Sequence, residues 1–160
     1  MTRLLLTLLA LLALVMPAAA GPRIERVEHA GRVTVYAEPG LDDIAADLGR
    51  RAEAALVEIT DDVPGLRTPA RIELRVVRDS ADLASVAPPG RGAPPWAVGI
   101  AYPDLGIMSV ALRRGPTFID PVFTLRHELA HLVLGAALGK HAPHWLHEGF
   151  SYQHSPEYSR

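Results

Sequence analysis

The chain has 160 residues, with 16 basic and 18 acidic side chains, a formal charge of −2 with histidine neutral, and no cysteine. That balance excludes a strongly basic surface of the kind that binds nucleic acid. The missing cysteines exclude disulfides, thiolate nucleophiles, thiolate metal ligands and a lipid anchor on an N-terminal cysteine.

Met1-Thr2-Arg3 makes a positive start, and an apolar run from Leu4 to Met16 leads to Pro17 and Ala18-Ala19-Ala20. This is the three-part layout of a secretory signal peptide cleaved before Gly21. The run falls short of the roughly 20 residues that cross a bilayer. The expectation is a signal peptide over residues 1–20 and one domain over 21–160, exported to a periplasm or secreted, with no membrane span after cleavage. Loss of Arg3 changes 16 basic residues to 15 against 18 acidic, a charge of −3.

From Arg23 to Ala37 the pattern alternates around a turn at Ala30-Gly31, which predicts a hairpin. Leu41, Ile44, Leu48, Ala52, Leu56 and Ile59 recur at three- and four-residue steps, an amphipathic helix closed by Val63-Pro64-Gly65. Arg50-Arg51 belongs to its solvated face. Ile72, Leu74 and Val76 alternate with charged residues as a half-buried strand. Ser80 is placed to cap a short helix through Val86. Pro88 to Pro95 is too rich in proline and glycine for regular structure. It reads as a surface connection, with a cleft rim as the alternative.

Ala97–Ala101 and Ile107–Leu112 are β-prone segments around Pro103-Asp104-Leu105-Gly106, a second hairpin. Asp120-Pro121 places an N-cap before proline at the first helical position. That helix runs toward Gly135 or Gly139, and another starts near Pro143 and reaches about His154. The order predicts an α+β domain with a small antiparallel or mixed sheet and two consecutive C-terminal helices.

His127-Glu128-Leu129-Ala130-His131 fits H-E-x-x-H. Two histidines four apart on a helix share a face, so both imidazoles can reach one ion. Glu128 projects beside that ion and can take a proton from a water that zinc acidifies. Two solvated histidines on a surface helix would be the bland reading. The apolar Leu125, Leu129, Leu132 and Val133 around them favour a buried site instead. Glu148, His141, His144 and His147 are the available third ligands.

Together with Trp145-Leu146-His147-Glu148-Gly149-Phe150-Ser151, this motif resembles the gluzincin metallopeptidases, most nearly their small peptidase MA-like domains. The motifs span only Val122 to Tyr152. The resemblance implies a minimal zincin-like fold with zinc held by His127, His131 and Glu148, and Glu128 as general base. It also implies that Ile107–Leu112 is the sheet edge along which an extended peptide pairs. A metzincin is disfavoured because Leu134 stands where that family needs glycine. Gluzincins also use an oxyanion donor, for which Tyr152, His154 and Tyr158 are candidates, and a carboxylate that orients a zinc-bound histidine, for which Asp120 is the substitute. Tyr152, Trp145 and Phe150 read first as packing residues.

The expected function is zinc-dependent peptide hydrolysis, endopeptidase in preference to exopeptidase, by a monomer acting on peptide or protein. The alternative is an exported zinc- or peptide-binding domain with little turnover, or one whose cleft a partner chain completes.

Overall fold

A computed structural model describes residues 23–155, so the segment read as a signal peptide, and Tyr158, lie outside the described residues. The elements are β1 (Glu25–Ala30), β2 (Val33–Ala37), α1 (Asp42–Asp61), β3 (Ile72–Asp79), β4 (Gly99–Tyr102), β5 (Ile107–Arg114), β6 (Thr117–Phe118), α2 (Pro121–Leu138) and α3 (His144–His154). The expected α+β class is borne out: a six-stranded mixed sheet with order β1-β2-β3-β5-β4, to which β6 is added beside β5. β2, β3 and β5 run parallel, while β1, β4 and β6 are antiparallel to their neighbours.

Strand alternation divides the sheet into two faces. Val33, Val35, Ile72, Leu74, Val76, Met108 and Val110 form the face that packs on the helices and are at most 2% exposed. α1 lays Ala45, Leu48, Ala52, Leu56 and Ile59 onto it. Each large aliphatic side chain buried there contributes about 1.5–3 kcal/mol. Arg51 sits on the solvated side of α1, its Nε 2.6 Å from Asp47. On the opposite face Val77, Leu83, Val86, Ala97 and Ala111 make a smaller cluster under the 80–98 connection.

α2 is apolar on most of its surface because it is buried between α1, α3 and the sheet. Asp120 caps it, Oδ1 accepting from the Val122 and Phe123 N–H groups at 2.9 and 3.2 Å, and Gly139 closes it at φ 61°. Leu125, Leu129 and Leu132 face the core, all at most 1% exposed. Thr124, His127, Glu128 and His131 share the other face, which looks toward β4 and α3.

Three expectations are corrected. β5 is not the sheet edge: it lies between β3 and β4, and β4 occupies the edge. The hairpin places the earlier strand outside, because β5 pairs in parallel with β3. The segment after Ser80 forms one 3₁₀ turn over Ser80–Asp82, and its cap is Asp79, which accepts from the Ala81 N–H at 3.2 Å. Trp145 is not a packing residue but 73% exposed, since the inward face of α3 carries Phe150, packed on the core, and the fully buried Ser151.

Candidate metal centre

α2 and α3 pack against each other and bring His127, His131 and Glu148 together, with one ligand atom from each lying within 4.8 Å of the others. His127 Nε2 and His131 Nε2 are 3.2 Å apart. Glu148 Oε2 is 3.6 Å from His127 Nε2, and Oε1 is 3.6 Å from His131 Nε2. A tetrahedral ion at about 2.0–2.1 Å from each donor would separate its ligands by about 3.3 Å. Glu148 faces the two imidazoles with a different oxygen each, and one ligand atom per residue lies within 4.8 Å of the others, close to the spacing a three-ligand site needs.

The protonation states suit the same role. Burial lowers the pKa of His127, with Glu148 opposing, and burial aided by His127, His147 and His144 pushes His131 down to about 3. Both rings are neutral at pH 7, so each keeps one unprotonated ring nitrogen that can bind a cation. Among the described residues, this is the group of His, Asp and Glu side chains whose geometry could hold a metal ion.

Glu128 points past the triangle without joining it. It is 8% exposed, and burial together with the Glu148 charge raises its pKa to about 8. The backbone of β4 comes close against it. A Cβ built on Gly99 would stand 2.8 Å from Glu128 Oε1 and 2.4 Å from Thr124 Cγ2. Further along the helix a Cβ on Gly135 would stand 2.3 Å from Pro103 Cβ. These two glycines let α2 lie directly on the edge strand. A glycine inside a strand is a sequence signal for close approach, and Gly99 carries that signal.

The centre opens into a cleft of about 520 Å³ walled by Pro94, Trp96, Ile100, Ala101, Pro103 and Phe123. The proline-rich loop thus rims the cleft at its Pro94 end, the second of its two readings. Trp96 is 70% exposed and was not singled out by the sequence. Tyr152 also lines the cleft, its ring edge-on to His127 with centroids 5.1 Å apart. It sits four residues after Glu148, on the ligand face of α3, which replaces the packing reading.

The remaining histidines separate cleanly. His147 lines the cleft with Nδ1 3.5 Å from His131 Nδ1. His144 is highly exposed, its Nδ1 3.6 Å from Glu148 Oε1. His154 turns away from the cleft to Asp62, at 3.4 Å, and to the Phe150 ring. His141 is exposed in the turn between α2 and α3. Asp120 caps α2 and makes no hydrogen bond to either histidine of the triad, and among the described residues His127 Nδ1 is buried without a hydrogen-bond partner. Phe150 packs on the core as expected.

Among the described residues no helix is long and apolar enough to cross a membrane. No family model matches the sequence, and no curated protein matches it.

Proposed function

We propose that this chain is a zinc-dependent peptidase of the gluzincin type, exported from the cell, with His127, His131 and Glu148 as ligands and Glu128 as general base. The observation that carries the reading is the convergence of those three ligand atoms within 4.8 Å beside a buried carboxylate that is not one of them. Two neutral imidazoles and one carboxylate form a donor set suited to zinc. A structural site has no use for a second carboxylate that is not a ligand and is pressed against an open cleft.

Zinc held there would act as a Lewis acid and bring the pKa of a water to about 7. The chain's own residues do the rest. Beside a dication Glu128 would be ionised, because the positive charge would oppose both the burial and the Glu148 repulsion that keep its proton on. Its carboxylate accepts the proton of the attacking water and returns it to the leaving amide nitrogen. β4 pairs with β5 alone among the described residues, so its outer edge offers backbone groups to an extended peptide. The carbonyl to be attacked then lies between Glu128 and the metal ligands. Tyr152 stands across the cleft as the candidate oxyanion donor.

The test is hydrolysis of quenched-fluorescence peptide libraries and casein by the purified protein. Activity abolished by a chelator, restored by zinc and lowered about 10²–10⁴-fold in Glu128→Gln would support the reading. Cleavage that survives Glu128→Gln unchanged would refute the assigned base.

A further inference from the structure

The sheet carries a second concave site, far along the strand order from the metal centre. Arg26 and His29 of β1, Arg32 at the hairpin turn, Thr34 and Tyr36 of β2, and Arg71 just before β3 line a cavity of about 530 Å³. Among the described residues, no carboxylate lines it.

Its construction depends on a β-bulge. Arg26 lies opposite Tyr36 and His29 opposite Thr34, with a register shift between Arg26 and Glu28. In a regular strand two residues three apart point to opposite faces. The bulge rephases β1, so Arg26 and His29 join Tyr36 and Thr34 on the face away from α1, while Glu28 turns toward α1. The parallel register then brings the chain before Ile72 beside Val33, which adds Arg71 to the rim.

Nearby acids are engaged elsewhere. Glu53 accepts the Arg32 backbone N–H at 2.8 Å and lies over the Gly31 turn, fixing the hairpin. Glu73 is held by Arg75 at 2.6 Å, and Glu25 by Arg23 at 3.4 Å. Arg32 keeps only a 3.5 Å contact from Nε to Glu53, and Arg26 and Arg71 have no ion pair among the described residues. Three arginines lining one hollow concentrate like charge there, which an anion would offset. Arginine forks match the oxygens of a phosphate group, and the lining adds the Tyr36 hydroxyl and the Thr34 hydroxyl, the latter 3.1 Å from His29 Nδ1. The volume exceeds that of phosphate alone and falls within the roughly 300–1,000 Å³ of small-ligand sites.

We infer that this hollow is an anion site for a phosphate group, free or carried on a lipid headgroup. Neither Arg26 nor Arg71 is tied into the fold, so Arg26→Ala/Arg71→Ala should fold normally. Arg67→Ala/Arg114→Ala removes the same charge from exposed positions outside the hollow and is the control.

Inorganic phosphate is titrated calorimetrically into the full chain at near-physiological salt. The expected result is saturable binding with Kd of about 1 mM or tighter, weakened at least about tenfold in Arg26→Ala/Arg71→Ala and retained in the control pair. Retention in Glu148→Ala would separate this binding from the metal centre. Sedimentation with vesicles containing phosphatidic acid, against phosphatidylcholine alone, distinguishes the sources. Vesicle binding that follows the same variants assigns a headgroup, and phosphate binding without it assigns a free anion. No saturable phosphate binding by wild type, or equal weakening in the control pair, would overturn the inference. Melting curves of both variant pairs confirm folding.

Discussion

Replacing Glu128 with glutamine should stabilise the metal-free protein while destroying activity. Burial and the Glu148 charge raise the folded-state pKa from 4.5 to about 8. Below pH 4.5 the folded and unfolded chains both carry the proton, and the group costs nothing. Above it the unfolded chain releases the proton and the folded chain keeps it, so stability falls as pH rises until the folded carboxyl also ionises near pH 8. At about 1.36 kcal/mol per pH unit, this amounts to about 3 kcal/mol at pH 7. The amide introduced by Glu128→Gln sits in the same buried place and returns about 1 kcal/mol of that as desolvation. The net expectation is a gain of about 2 kcal/mol at pH 7, vanishing toward about pH 5 and largest above about pH 8. Urea unfolding of both proteins in EDTA across that range measures it. Equal stability at every pH, or a Glu128→Gln protein weaker than wild type at about pH 8, would refute a buried, proton-retaining Glu128.

Three further outcomes follow from the packing. Gly99→Ala drives a methyl into Thr124 and Glu128, so it should cost about 1–3 kcal/mol in urea unfolding and lower kcat with the fold intact. An unchanged kcat would show that β4 does not position the base. Leu129→Ala empties a fully buried position within the motif, on the core side of α2, and should cost about 2–5 kcal/mol by the same assay. Asp120→Ala removes the α2 cap and should cost about 1 kcal/mol, whereas Asp120→Asn should retain most of it. A difference of that order in thermal unfolding separates capping from any part in the metal site.

The parts of the site that lie on helices were legible in the sequence. Asp120-Pro121 announced α2, and the spacing of His127 and His131 fixed a shared face once the helix was granted. Glu148 needed the family resemblance, since four residues competed for its place and only packing of α3 on α2 decides between them. What was not legible depends on spatial order. The periodicity of β4 and β5 is the same whichever one is outermost, and parallel pairing of β5 with β3 is a long-range fact. The two-residue β6 is too short for any periodicity. Aromatic character alone does not place Trp145, because helical phase decides it: the inward face of α3 carries Phe150 and Ser151, and Trp145 lies off it. Tyr152, four after Glu148, carried the same kind of phase signal toward the cleft.

The claim on which the rest depends is the ligand set, and metal content measures it most directly. Purified wild type, Glu128→Gln, His131→Ala and Glu148→Ala are reconstituted with zinc at neutral pH, dialysed and assayed by elemental analysis. About one zinc per chain is predicted in wild type and Glu128→Gln, with a large loss in His131→Ala and Glu148→Ala. A zinc-free wild type, or a Glu148→Ala protein that holds zinc as tightly as wild type, would contradict the account.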